Sequence, residues 1–210
     1  KGMTSDIIVY LRGGTYNVTT GIHLTKDGTS GNLITIQNYP GEVPVLDGTG
    51  IASGDYNNYA SWMLYFDNVS WNHIKGIEIT NAPDGGLVMD GTCSNNIIEL
   101  LHVHHIGPGT LGESKGISFY GPGVNNLFLN NDVHHCTDSL GGGGADGFQI
   151  GTQGSGNVVR GNRSWANSDD GYDFYNVVDN TLAGALLVEN NWAWHNGYLL
   201  NNAAGGDGVG

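Results

Sequence analysis

Two columns of equivalent residues recur along this 210-residue chain and restrict the folds that it can adopt. The first column opens short apolar runs, and its predicted members are Asn32, Asn72, Asn96, Asn126, Asn157 and Leu186. The second column precedes segments rich in strand-forming residues, and its predicted members are Gly86, Gly116, Gly147, Gly171 and Gly208. A repeat of this kind with irregular loops indicates short strands coiled into a stack, in which each coil lies on the one before.

The predicted fold is all-β: a right-handed parallel β-helix of about six to seven coils, with successive coils about 4.8 Å apart. We expect one domain over residues 1–210, incomplete at its C-terminus, with residues 48–61 forming a loop between coils.

The chain contains 24 asparagines, and side-chain amides can hydrogen-bond along a column of stacked coils. A β-propeller has repeats of similar length, but its blades need hairpins, and the sequence shows no hairpin series.

The composition excludes several classes of protein. Hydrophobic residues make up 39% of the chain, with five Trp and ten Tyr, which allows a large core and excludes a disordered chain. No apolar run approaches the ~18 residues of a membrane span, so we expect no membrane partner. Seven scattered Lys and Arg against 20 Asp and Glu disfavour a nucleic-acid partner, which requires clustered basic residues. The two cysteines, Cys93 and Cys136, are predicted to be buried thiols.

The strongest chemical signal is an acidic cluster in residues 168–173 (SDDGYD), which contains Asp169, Asp170 and Asp173. Asp146 falls one coil earlier, in the same predicted column as Asp170. Stacked carboxylates repel one another and favour a cation between them, and a set of hard oxygen ligands suits Ca²⁺. The alternatives are a solvated acidic turn, or an acid and base pair for glycoside hydrolysis. Residues 141–148 also fit a calcium-binding nonapeptide, but only once, and that motif works in tandem.

Histidines cluster on two adjacent predicted coils, at His102, His104, His105, His134 and His135, and His195 follows later. They suggest either a zinc site or rings stacked in a ladder. The next coils place Trp165 and Trp194 in the column of His104 and His134, and Ala166 follows His105 and His135. The sequence therefore favours stacked rings over metal ligands.

Three segments resemble polysaccharide lyase family 9: residues 145–148 (ADGF), 161–173 (GNRSWANSDDGYD) and 189–197 (ENNWAWHNG). Residues 11–16 and 39–48 also resemble its opening coil, although many β-helix proteins share that stretch. The resemblance implies a secreted bacterial lyase that cleaves pectate or a related uronate polymer by β-elimination with Ca²⁺. The four calcium aspartates of the family match Asp146, Asp169, Asp170 and Asp173 here.

The family's general base is a Lys after an Asp-Gly-x-Gly-Phe pattern, and this chain ends at Asp207-Gly208-Val209-Gly210. Lys115 shares the column of Asp146 and Asp170, about 10 Å from Asp170 at two coil steps, too far to remove a proton beside the metal. We therefore expect the base to be absent from these 210 residues, with Lys115 and Asp207 contacting substrate.

We expect a monomer whose partner is an acidic polysaccharide. The alternatives are a non-catalytic carbohydrate-binding β-helix and a polygalacturonase-like hydrolase, whose Gly-His-Gly and Arg-Ile-Lys signatures are missing here. The products separate the three functions, because a lyase leaves an unsaturated sugar end, a hydrolase a saturated one, and a binding module leaves the polymer intact.

Overall fold

A computed structural model describes residues 6–54, 59–107, 113–138, 143–152, 154–174 and 186–198. In this part of the chain, 20 strands form three sheets in which the strands that pair run parallel. Sequence-adjacent strands lie in different sheets, so each coil supplies one strand to each sheet in turn. This arrangement is the parallel β-helix that the two columns predicted.

Sheet A contains β1 (Ile7–Leu11), β4 (Ile34–Asn38), β7 (Asn72–Lys75), β10 (Ile97–Glu99), β13 (Leu127–Leu129), β16 (Val158–Arg160) and β19 (Leu187–Glu189). Sheet B contains β2 (Gly14–Asn17), β5 (Pro44–Asp47), β8 (Glu78–Thr80), β11 (His102–His104), β14 (Asp132–His134), β17 (Arg163–Trp165) and β20 (Trp192–Trp194). Sheet C contains β3 (Ile22–Leu24), β6 (Trp62–Asp67), β9 (Gly85–Asp90), β12 (Ser114–Gly121), β15 (Ala145–Thr152) and β18 (Tyr172–Asp173). A short 3-10 helix spans Tyr59–Ser61.

The core runs along the inside of the stack. In the three-residue strands β10 and β13 only the central side chain is buried, at Ile98 and Phe128, because alternate residues of a strand face opposite sides. These two residues pair in register with each other, and Phe128 pairs with Val159 of the next coil. Cys93 and Cys136 are buried free thiols, as predicted. The described residues include no helix long and apolar enough to cross a membrane.

The asparagine column forms a hydrogen-bonded ladder beside sheet A. The side chain of Asn96 donates to that of Asn126 at 3.1 Å, and Asn126 donates to Asn157 at 3.0 Å. The backbone N–H of Asn72 begins the ladder by donating to the side chain of Asn96. The prediction was wrong for Asn32, because Ile34 is the residue that pairs with Asn72 in that coil.

The predicted glycine column is present on sheet C, and a left-handed backbone does not explain it. The described members are Gly86, Gly116, Gly147 and Gly171, which lie in register on sheet C, and none of them has a positive φ. A side chain at Gly116 would place its Cβ 2.6 Å from the carbonyl oxygen of Gly147 and 2.2 Å from Val133. Close stacking of coils is therefore what requires glycine here. Gly208 lies outside the described residues.

Left-handed backbone conformations fall on other residues of the coil corners. His105, His135, Ala166 and His195 form one such column, with φ between 53° and 56°. Residues 48–54 of the predicted loop lie partly against the stack, since Ile51 is buried and the N–H of Gly54 donates to the Asp84 carboxylate at 3.0 Å.

Candidate functional site

An acidic cluster lies where β15 of sheet C meets the turn that leads into β18. Asp146 is the second residue of β15, and Asp169 and Asp170 belong to the turn. One carboxylate oxygen from each of these three residues lies within 4.8 Å of the others. The structure thus brings together three of the four predicted calcium ligands.

Backbone hydrogen bonds fix this turn against β15. The N–H of Asp170 donates to the Asp146 carboxylate at 3.1 Å, and the N–H of Gly147 donates to the carbonyl of Asp170 at 2.9 Å. The N–H of Asp169 donates to the carbonyl of Ala145 at 3.2 Å. The positions of the carboxylates therefore follow from the register of two neighbouring coils.

Asp173, the fourth predicted ligand, ends β18 beside this group. Its carboxylate accepts a hydrogen bond of 2.8 Å from the side-chain amide of Gln149, and Gln149 in turn accepts one from the Tyr120 hydroxyl. The charge of Asp173 helps to raise the pKa of Asp146, so it acts on the same site. Sequence reasoning missed Gln149 and Tyr120, since neither belongs to the acidic motif.

Lys115 is the only Lys or Arg among the described residues of sheet C. It pairs in register with Asp146, as predicted, and its Nζ lies 2.7 Å from Asp146 Oδ2 and 2.5 Å from the carbonyl oxygen of Gly144. Only 3% of its side chain is exposed. The long side chain thus spans the coil step and places its ammonium beside Asp146. The predicted separation of Lys115 from the site was therefore wrong, because it counted coil steps and left out the length of the side chain. Its role as a substrate contact stays a prediction, and Asp207 lies outside the described residues.

The carboxylates of this site affect one another's protonation. Burial raises the pKa of Asp146 to about 6, Lys115 opposes that rise, and Asp173 and Asp169 add to it. Among the described residues of sheet C, Lys115 is the one basic side chain near these carboxylates. An oxygen-only donor set with this charge fits Ca²⁺.

Arg160 and Arg163 lie on other sheets than this site. Arg160 lies in sheet A, where its Nε donates to the Glu189 carboxylate at 2.5 Å. Arg163 lies in sheet B and forms an exposed ion pair with Asp132. Neither guanidinium contacts the acidic cluster.

The predicted ring ladder lies on the outer face of sheet B. The rings of His104 and His134 stack with centroids 5.1 Å apart, and the stack continues to Trp165 at 4.3 Å and Trp194 at 4.8 Å. His105 and His135 stack separately at 5.0 Å. Burial, together with neighbouring imidazoles, lowers the pKa of His134 to about 3. The ladder is confirmed, but the sequence did not reveal that Glu78 lies against it.

The three-sheet stack with this acidic cluster defines a class of protein, the right-handed parallel β-helix with a candidate cation site on one sheet. The sequence profile of the family described as Pel9A-like, right handed beta helix region, matches residues 5–210. This chain belongs to that family.

Named relatives agree with this assignment. The chain is 34% identical over 216 aligned residues to pectate lyase L of Paenibacillus polymyxa, covering 96% of this chain and 45% of that protein. The crystal structure of pectate lyase Pel9A superimposes with a TM-score of 0.75 at 27% identity, covering 99% of this chain and 50% of that one. The structure of a rhamnogalacturonan lyase superimposes with a TM-score of 0.76 at 25% identity, covering 99% of this chain and 56% of that one. The chain thus spans about half the length of these relatives.

Proposed function

We propose that this chain is the calcium-binding part of a polysaccharide lyase that cleaves pectate or a related uronate polymer by β-elimination. The observation that supports this most strongly is the convergence of Asp146, Asp169 and Asp170 within 4.8 Å. Family membership and relatives named as pectate lyases agree with it. Because the chain is also similar to a rhamnogalacturonan lyase, rhamnogalacturonan is the second substrate to test.

The proposed ligands of the calcium ion are Asp146, Asp169, Asp170 and Asp173. Bound Ca²⁺ would supply a positive charge that holds a uronate carboxylate of the substrate and acidifies the proton at C5. The protein's own contribution is positional: the N–H of Asp170 and the ammonium of Lys115 hold the Asp146 carboxylate in place. The net charge of −13 would otherwise repel a polyanionic substrate.

Removal of the C5 proton needs a base within hydrogen-bond reach. Lys115 is committed to Asp146 and Gly144, and Arg160 and Arg163 lie on other sheets. We therefore propose that the base lies outside the described residues. Lys115 would contact a substrate carboxylate only if its ammonium left Asp146 when calcium bound, and then Lys115→Ala would raise KM with kcat nearly unchanged.

We also propose that the protein is secreted and acts as a monomer. Its proposed substrate is a polymer too large to enter a cell, so the enzyme has to meet it outside.

The test compares Asp170→Ala with the wild-type chain. Calorimetry should show one calcium ion bound by the wild type and a sharply weakened affinity in the variant, because the remaining carboxylates cannot fill the coordination shell without added water. The matched control is Asp67→Ala, at the end of β6 on the same sheet. Unchanged calcium affinity in Asp170→Ala would overturn the metal assignment.

Activity is measured separately, from the ultraviolet absorbance of unsaturated products on pectate and on rhamnogalacturonan, with calcium and with a chelator. The 210-residue chain is compared with a version that extends past Gly210. Calcium-dependent absorbance from the longer version supports a lyase. If the 210-residue chain gives no such absorbance, the result supports a base outside the described residues. A saturated product or an intact polymer from both versions would contradict lyase function.

A further inference from the structure

A second group of metal-ligating side chains lies on the outer face of sheet B, far in sequence from the acidic cluster of sheet C. Glu78 of β8 pairs in register with His102 of β11, and His104 follows on the same face of β11. One ligand atom from each of these three side chains lies within 4.8 Å of the others. A His-x-His pair on one strand opposite a carboxylate on the next thus brings three ligand atoms to one place.

The ring nitrogens are oriented for this role. His104 Nε2 lies 3.2 Å from Glu78 Oε1, and His102 Nδ1 lies 3.9 Å from Glu78 Oε2. Both distances are compatible with two atoms that share one ion, since zinc–nitrogen and zinc–oxygen bonds are each about 2 Å long. The carboxylate therefore faces one nitrogen of each imidazole.

The second nitrogen of each imidazole is already held by a neighbour. His104 Nδ1 lies 3.2 Å from the Thr80 hydroxyl and 2.8 Å from His105 Nδ1. His102 Nε2 lies 2.8 Å from His134 Nε2. Metal-binding histidines in proteins are characteristically oriented in this way, with the far ring nitrogen fixed by a hydrogen-bonding partner. The side chain of His102 is 45% exposed, so an ion can reach the group from solvent.

We propose that Glu78, His102 and His104 bind a divalent transition-metal ion of the zinc type. Imidazole nitrogen and a single carboxylate select such ions over calcium, which prefers an all-oxygen shell. Three protein ligands leave one tetrahedral position for water or an external ligand. Because its ligands come from β8 and β11, the ion links two successive coils and stabilises their stacking.

The experiment uses the metal-free chain without any polyhistidine tag, in excess Ca²⁺ so that the acidic cluster is occupied. Titration with Co²⁺ should give one equivalent of binding, with the visible absorption of nitrogen-ligated cobalt, and Zn²⁺ should displace it. Zn²⁺ should also raise the melting temperature of the wild type.

Three variants and a control locate the site. His104→Gln should abolish the cobalt absorption, and Glu78→Gln should weaken binding. Thr80→Val should weaken it by up to about tenfold, because it removes one of the two partners that hold the far nitrogen of His104. The control is His23→Gln, which removes a histidine that stacks on Tyr65 of sheet C. This variant should bind cobalt like the wild type. Circular dichroism checks that each variant is folded, which is expected because these side chains lie on the outer face.

Absence of one-equivalent binding in the wild type would overturn the proposal. So would equal affinities in the wild type, Glu78→Gln and His104→Gln. The site shares no ligand with the acidic cluster, so its failure would leave the proposed lyase function untouched.

Discussion

Lys115 is a buried counter-ion of Asp146. Its ammonium and the Asp146 carboxylate are each 3% exposed and lie 2.7 Å apart. A calcium ion bound to Asp146 would compete with this ammonium for the same carboxylate. Lys115 therefore compensates the buried charge of Asp146 and would lower the affinity of that carboxylate for the proposed calcium ion.

Replacing Lys115 with Met should destabilise the calcium-free protein by about 3 kcal/mol, because removing one partner of a buried ion pair leaves an uncompensated charge. Calcium should restore more stability to this variant than it adds to the wild type. Thermal unfolding with and without calcium measures both effects.

The control for this experiment is Lys75→Met. Lys75 forms a partly exposed pair with Glu99 at 3.1 Å, and pairs of this kind contribute about 1 kcal/mol or less. An equal loss of stability in both variants would contradict the assigned role of Lys115.

A second residue pair makes stability depend on pH at the opening coils. The Arg12 guanidinium donates to the Glu42 carboxylate, and the N–H of Gly13 donates to it at 2.6 Å. These hydrogen bonds, with that from Arg12 the larger cause, lower the pKa of Glu42 to about 2, from an ordinary value of 4.5. The folded-state pKa lies below the unfolded one, so the stabilisation is complete above pH 4.5 and is lost as the pH falls towards 2.

Glu42→Gln should therefore melt below the wild type at pH 6, and the difference should shrink between pH 4.5 and pH 2. Melting temperatures measured across this pH range test the prediction. Arg12→Gln should also reduce the dependence of the melting temperature on pH, because it removes the partner of Glu42. A difference that stayed constant down to pH 2 would show that Glu42 does not carry the effect.

At the scale of elements, most strands of the later coils of sheets A and B are only three residues long. The asparagine ladder adds side-chain hydrogen bonds from one coil to the next. Asn126 is fully buried; it donates to Asn157 and to the carbonyl of Cys93 at 2.8 Å, and it accepts from the N–H of Asn96 at 3.1 Å. Each coil corner is thus joined to its neighbours on both sides.

Asn126→Ala should lower the free energy of unfolding by about 3 kcal/mol, since a buried donor or acceptor left unpaired costs about 1–3 kcal/mol. Urea unfolding measures this loss. The control is Asn17→Ala, an exposed asparagine of β2, for which little change is expected. A loss below about 1 kcal/mol would mean that the neighbouring groups find other partners.

At the scale of the whole molecule, the features predicted from the sequence are those that repeat from coil to coil. The Asp146–Asp170 column and the His104–Trp194 ladder were predictable because a stack places repeated motifs in register. Contacts made by single long side chains were not predictable in this way. Lys115 reaching Asp146 and Glu78 lying against His104 depend on side-chain conformations that no repeated motif encodes. Asn32 was misplaced by two residues, since Ile34 is the residue that pairs with Asn72.

The stacked indoles of Trp165 and Trp194 have an optical consequence. Their rings lie 4.8 Å apart and within 5° of parallel, close enough for their excited states to couple. The ultraviolet absorption of the stacked pair should then be weaker than that of two separate indoles, and Trp194→Phe should remove this hypochromism. Because Trp194 belongs to β20, loss of the hypochromism during heating would report when that coil separates from the rest of the stack. The protein thus carries its own spectroscopic reporter of how unfolding begins.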